Sequence, residues 1–154
     1  MDSVVSLDEE ATALRPGSAA RRASRAMGLR LLTTWSTLHP DPRLERALAR
    51  ARAGDIGPAL PVAFAGACAC AQIDRRRAVE VFAYSRLAAT VSAAMRLMPI
   101  GQTQAQSLLA RALETLPAVV DAIERRNAEP ESFAPALDIE CMSHQYLHSR
   151  LFRS

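Results

Sequence analysis

The sequence contains no lysine, few aromatic residues and only three cysteines. All 19 basic side chains are arginine, and aromatic residues make up 5% of the chain. Three cysteines, of which Cys68 and Cys70 are almost adjacent, do not make a disulfide framework. No secretory signal opens the chain either, so we expect a reducing, cytoplasmic location.

A long apolar run free of charge is also missing. The most apolar stretch, residues 79–98, has the length of a membrane span but contains Glu80, Arg86 and Arg96. Each of these charges would be costly in lipid. We therefore predict a helix buried within protein and no contact with a membrane.

Catalytic motifs are absent as well. The sequence has no nucleophile elbow, no phosphate-binding glycine loop and no paired acids in a defined motif. Around Pro99, the residues Gly101 and Gln102 are better explained as a structural turn between two helices than as a phosphate cradle. One glycine cannot form the necessary nest of amides. The sequence thus predicts a protein that is not an enzyme.

Charge is modest in sum and uneven in distribution. The net charge is +3, and an acidic start is followed by a basic run of Arg21, Arg22, Arg25 and Arg30. A small arginine-rich nucleic-acid-binding protein is one alternative that this run supports. We favour no nucleic-acid partner, because no aromatic interleaving or nucleic-acid-binding motif accompanies the arginines.

Alanine and apolar residues at helical spacing are abundant. Hydrophobic residues make up 49% of the 154 residues, which is enough for a sizeable core. No stretch alternates with period two between hairpin turns. We therefore predict an all-α fold, a bundle-like domain of about five to seven helices.

Breaks in the pattern predict how these helices are organised. Residues 1–17 resemble an acidic flexible leader, and residues 18–154 are expected to form one all-α domain. The first helix of that domain should bury a stripe that includes Met27, Leu31 and Trp35. Further helices are predicted at residues 42–53, between Asp41 as N-cap and Gly54 as stop, from about 61, after Asp74, after Thr103 and from about 136.

The pair Cys68 and Cys70 has the composition of a metal-binding motif. On a helix, however, two residues at this spacing point about 200° apart. We favour buried structural cysteines over a thiolate metal site.

The C-terminal segment, residues 136–154, ends with arginines, histidines and large apolar side chains but no acid. On a helix, Tyr146, Arg150 and Arg153 would lie within about 60° of one another. Arginine, tyrosine and apolar anchors supply most of the affinity at protein interfaces. This composition is compatible with a partner-binding tail, but composition alone slightly favours a last helix docked on its own domain.

A possible metal site overlaps this tail. Cys141, His144 and His148 are spaced so that they would share one face of a helix. A thiolate and two imidazoles suit nickel or zinc, but three ligands over two turns need help from another chain. Packing at an interface is the favoured role, and weak, transient nickel contact is the alternative.

Three stretches together resemble the urease accessory protein UreF family. They are residues 61–65, the turn at residues 96–103 followed by Gln106, and the terminal His144 with residues 149–154. Their order and separations make the resemblance specific, and a weaker match extends it to about Arg21. The sequence departs from the family in lacking a glycine- and serine-rich N-terminal motif, and in having Gln145 and His148 where the family has an acid and an aromatic residue.

The resemblance implies a non-enzymatic, homodimeric scaffold for nickel insertion. Such proteins bind UreD, called UreH in some organisms, and recruit the UreG GTPase to apo-urease, with nickel handled transiently and no tightly bound cofactor. A truncated or decayed paralogue that retains only dimerisation is the alternative. The residues that the resemblance and the tail's composition assign to partner binding are His144, Tyr146, Arg150, Leu151, Phe152, Arg153 and Ser154.

Overall fold

The computed structural model describes residues 2–126, 133–143 and 146, and within these ranges the chain is helical with no strand. The all-α prediction is confirmed. The described helices are α1 (Asp2–Ala13), α2 (Ser18–Leu38), α3 (Pro42–Ala53), α4 (Leu60–Cys70), α5 (Arg75–Leu97), α6 (Gln102–Arg126) and α7 (Pro135–Ser143). Within the described residues, no helix combines the length and the apolarity that a membrane span requires.

The chain divides into two compact units, where the sequence led us to expect one domain over residues 18–154. Unit 1 comprises Met1–Gln72 and Pro130–Ser154, and unit 2 comprises Ile73–Glu129. Unit 1 therefore holds α1 to α4 together with α7. Unit 2 is a hairpin of the two long helices α5 and α6, which pack against each other.

Helix α3 begins and ends where the sequence predicts. The Asp41 carboxylate accepts a hydrogen bond from the Arg43 backbone N–H at 2.7 Å, and Gly54 ends the helix in the left-handed region with φ 84°. The guanidinium of Arg43 also donates to Asp41 and holds the pKa of that carboxyl well below its usual range. The cap therefore stays ionised in mildly acidic solution.

The core of unit 1 forms where α2, α3 and α4 meet. Leu32, Leu44, Leu48 and Ala63 are buried together, and Leu31, Trp35 and Cys70 pack against them. The predicted stripe on α2 is only partly right, since Met27 is exposed. The buried residues of α2 are instead Ala19, Ser24, Gly28 and Leu32. This face is rich in small side chains because α2 approaches the start of α4 closely.

The N-terminal segment is not a flexible leader, and that prediction is wrong. It forms α1, and Asp8 on this helix is only 4% exposed. The two oxygens of its carboxylate accept hydrogen bonds from Ala59 N at 2.7 Å and Gly57 N at 3.1 Å. Helix N-termini leave backbone donors without partners and favour a negative charge nearby. An acidic residue on α1 therefore caps the start of α4, and Ser24 assists by accepting from Leu60 N at 3.1 Å.

Replacing Asp8 with alanine should destabilise unit 1 by about 2–4 kcal/mol, because two amides lose a charged acceptor in a buried setting. Urea unfolding followed by the fluorescence of Trp35, the single tryptophan, reports on this unit. The matched control is Glu9→Ala on the exposed side of the same helix. Equal stabilities of the two variants would show that Asp8 does not anchor α1.

Unit 2 corrects the prediction of a buried helix at residues 79–98. No residue of α5 is buried, although Asp74 caps it as expected by accepting from Arg77 N at 3.0 Å. On α6, Ala105, Leu109 and Val120 are buried, and the helix runs through Pro117 without ending. The apolar residues of α5 are thus left substantially exposed within their own unit.

Ion pairs fix the open end of this hairpin. The guanidinium of Arg76 on α5 contacts Asp121 at 2.6 Å and Glu124 at 3.1 Å on α6, and also Glu80 one turn along α5 at 3.1 Å. The three carboxylates share one arginine, so the contact sets the alignment of α5 against α6. These side chains are partly exposed, and their contribution to stability is accordingly modest.

Candidate partner-binding site

Helix α7 leads into the predicted partner-binding tail and packs on unit 1 by one face. It begins at Pro135, close to the predicted start at Ala136. Ala134, Asp138 and Cys141 recur at helical spacing and are half-buried. A Cβ added at Gly17 would lie 3.1 Å from the backbone oxygen of Cys141, which shows how closely the helix approaches the start of α2. The inward face of α7 is therefore a docked face.

Outside the docked face, this segment exposes several large apolar side chains. Tyr146 is 82% exposed and Phe133 is 94% exposed. Between them Leu137, Ile139 and Met142 are each more than half exposed. Exposed aromatic and aliphatic side chains concentrated in one short segment are typical of a site that another protein covers. We call these five residues the α7 apolar face.

Most of the predicted partner-binding residues lie outside the part of the chain that the structure describes. Of that set only Tyr146 is described, and it belongs to the α7 apolar face. The positions outside the described residues are His144, Arg150, Leu151, Phe152, Arg153 and Ser154. Their role in binding stays a prediction.

The metal candidates are only partly described. Cys141 is half-buried on the docked face of α7, while His144 and His148 lie outside the described residues. In the described ranges, no group of three or more His, Cys, Asp or Glu side chains is arranged to hold a metal ion. Nickel contact at these three residues stays a prediction.

The second cysteine motif lies in unit 1 at the end of α4. Cys68 is buried and Cys70 is half-buried. Burial raises the pKa of both thiols, and the protonated form is neither a good nucleophile nor a good metal ligand. This environment supports the structural interpretation of the pair.

The turn at Pro99, Gly101 and Gln102 lies in unit 2, between α5 and α6. Met98 N donates to Ala94 O at 2.8 Å and closes α5, and Gly101 O accepts from Ala105 N at 2.9 Å as α6 begins. Gln102 is the first residue of α6 and is exposed. The described residues of this turn thus end one helix and start the next.

The family model UreF matches residues 1–113, which is most of the chain. The chain belongs to the UreF family. The matched region starts at residue 1, so α1 lies within the part that the UreF model describes. The sequence resemblance, which we traced only from about Arg21, was drawn too narrowly at this end.

Individual UreF proteins match over nearly all of the chain. The urease accessory protein UreF of Methylibium petroleiphilum is 35% identical over 91% of this chain and 59% of its own length. That of Azoarcus sp. is 34% identical over 98% of this chain and 64% of its own length. That of Arthrobacter sp. is 30% identical over 99% of this chain and 68% of its own length.

The chain therefore spans about three fifths of the length of the first two of these relatives. The matches to Azoarcus and Arthrobacter UreF cover almost the whole chain and so extend well beyond residue 113, where the family-model match ends. No solved structure gives a match.

Proposed function

We propose that this chain is a non-enzymatic scaffold in the maturation of urease. In this proposal it binds UreD (UreH) through its C-terminal tail, recruits the UreG GTPase, and takes part in delivering nickel to apo-urease in the cytoplasm. Membership of the UreF family of urease accessory proteins is the observation that carries the proposal.

The α7 apolar face supports the part of the proposal that concerns the tail. It exposes Phe133, Ile139 and Tyr146 in the same segment as the predicted anchors Leu151 and Phe152. Each Å² of apolar surface that is buried in an interface stabilises the complex by about 25 cal/mol. This gain would offset part of the cost of ordering the segment. A partner that covered the α7 apolar face together with the predicted anchors would contact both a docked helix and the residues that follow it.

The exposed surface of unit 2 supports a homodimer. Val81 and Tyr84 on α5 and Leu113, Leu116 and Pro117 on α6 line an open groove of about 370 Å³ with Glu80 at its edge. Val81 is 53% exposed and Tyr84 is 48% exposed. In a two-fold interface the same patch on each copy is covered by the other, and we propose that this exposed apolar groove is that patch.

Co-expression of the tagged chain with the cognate UreD and UreG tests the proposal. We expect both partners to co-purify with the chain, and light scattering after gel filtration to give two copies of it in the complex. Self-association with no recovery of UreD or UreG would instead support the truncated-paralogue alternative. A shift of random DNA that weakens steeply with salt would support the nucleic-acid-binding alternative.

We propose that nickel is cargo, which the chain contacts weakly through Cys141, His144 and His148. In isothermal titration, the unaltered chain should bind nickel weakly. The triple variant Cys141→Ala/His144→Ala/His148→Ala should not bind it. The control is Cys68→Ala/Cys70→Ala, which should retain it, because those thiols are protonated and sheltered. Unchanged nickel binding by the triple variant would exclude these residues as ligands.

A further inference from the structure

Unit 1 contains a cavity of about 330 Å³ that is distinct from the α7 apolar face. Residues of α1, α2, α3 and α4 line it, and its walls are mainly aliphatic, with contributions from Val5, Leu32, Val62 and Ala63. Ligand sites in proteins are commonly lined in this way, and about 300 Å³ is the lower end of their range of volumes. The cavity therefore suits one or two large apolar side chains.

The wall formed by α4 leaves open space beside Gly66. A Cβ added at Gly66 would meet no heavy atom within 4 Å. Asp8 also lines the cavity, but its carboxylate is bound to the amides of Gly57 and Ala59. An occupant would therefore meet mostly apolar surface on this side, with no unsatisfied carboxylate.

The wall formed by α3 adds a row of arginines. Arg43, Arg46 and Arg50 line the cavity at helical spacing and span about 10 Å along the axis. The Asp41 carboxylate forms an ion pair with the guanidinium of Arg43. The Asp55 carboxylate lies 3.6 Å from the guanidinium of Arg50 in an exposed ion pair. Among the described residues, no carboxylate lies within ion-pair distance of Arg46. At this edge of the cavity Arg46 can therefore contact an anionic ligand, and Arg50 can do so by exchanging its exposed contact with Asp55.

We infer that the cavity and its arginine row form a docking site for an acidic amphipathic segment of a partner protein. A large apolar side chain of that segment enters the cavity beside Gly66, and its Asp or Glu side chains contact Arg46 and Arg50. The length of the arginine row favours a peptide over a fatty acid, because a single carboxylate would contact only one end of it. Charge-assisted contacts at the edge and an apolar anchor at the centre are the usual division of roles in an interface.

A displayed library of short random peptides tests this inference on the full chain. Peptides are selected on the unaltered protein and counter-selected on Gly66→Leu, which fills the cavity from a position where a side chain has space. We expect the surviving peptides to combine Leu, Phe or Trp with Asp or Glu. Survivors that lack acids, or a selection with no survivors, would overturn the inference.

Fluorescence anisotropy then measures the affinity of a surviving peptide for matched variants. We expect Arg46→Glu, or replacement of the peptide's acids by their amides, to weaken binding by at least about tenfold. The controls are Arg52→Glu, on the same helix but outside the cavity lining, and Ala65→Leu, on the exposed side of α4. Both should bind as the unaltered chain does.

Two results would contradict the inference. One is equal affinity of the peptide for Arg46→Glu and Arg52→Glu, which would show that the arginine row is not part of the site. The other is saturable binding of octanoate that Gly66→Leu and Arg46→Glu abolish, with no peptide binding, which would assign the cavity to a small amphiphile. The charge variants and the amide peptides keep the test valid even if Gly66→Leu alters folding.

Discussion

Replacing Gly28 with alanine should destabilise unit 1 by at least about 3 kcal/mol, at or above the upper end of the usual range for an overpacked site. A Cβ at this position would lie 1.9 Å from the backbone oxygen of Pro58 and 3.0 Å from the backbone carbon of Ala59. Both neighbours are backbone atoms, so no rotation of a side chain relieves the overlap. Helix α2 would have to move away from the start of α4, where Asp8 and Ser24 accept hydrogen bonds.

The control for this prediction is the same substitution at Gly66 on α4. No heavy atom lies within 4 Å of a Cβ added there, so the higher helix propensity of alanine should stabilise the protein by up to about 1 kcal/mol. Urea unfolding followed by Trp35 fluorescence compares the two variants in the same unit. A Gly28→Ala midpoint equal to or above that of Gly66→Ala would contradict the close packing of α2 on α4.

Capping and stop residues in the sequence correctly predicted the boundaries of several helices. The Asp41 cap, the Gly54 stop and the Asp74 cap depend on side chains and backbone angles within a few residues of each helix end. Such features are visible in a single sequence because they need no information about distant contacts. The start of α7 near Ala136 was predicted from the polar stretch of sequence that precedes it, and the helix begins at Pro135.

Long-range packing was harder to predict. The role of Asp8 depends on amides at Gly57 and Ala59, far along the chain, so its acidic neighbourhood was mistaken for a flexible leader. Gly28 did carry a signal, since an isolated glycine inside a helical pattern often marks a close approach. The prediction followed the hydrophobic stripe through Met27 and Trp35 without using this glycine, and it placed the buried face about one position away.

For helix α5, the sequence predicted more burial than the structure shows. Its apolar composition predicts a helix surrounded by protein, because composition measures how much surface must be covered and not what covers it. Among the described residues of unit 2, α6 is the helix that packs on α5, and no residue of α5 is buried. For the candidate binding site, the sequence predicted a segment whose described part is exposed and apolar. The sequence also offered docking of this last helix on its own domain, and the half-buried Ala134, Asp138 and Cys141 form such a docked face on α7.

The largest functional effect should come from deleting residues 150–154. The deletion removes the proposed anchors Leu151 and Phe152 together with Arg150 and Arg153. Two anchors at about 2 kcal/mol each correspond to nearly a thousandfold loss of affinity, before the arginines are considered. The deletion leaves every helix that the structure describes intact, so the helical circular-dichroism signal should be nearly unchanged.

A charge-matched control separates anchoring from electrostatics. Arg125→Ala/Arg126→Ala removes two positive charges from exposed positions at the end of α6 and leaves the tail intact. If the tail docks through Leu151 and Phe152, this control should bind UreD normally, whereas Leu151→Ala/Phe152→Ala should reproduce most of the effect of the deletion.

The most direct test of the proposed scaffold function is therefore the recovery of cognate UreD on the tagged chain, with and without residues 150–154, after co-expression. We expect UreD to co-purify with the complete chain and with Arg125→Ala/Arg126→Ala, and to be lost from the deletion variant while its helical signal is retained. Equal recovery of UreD by the deletion variant would contradict the account and show that the tail is not the docking segment.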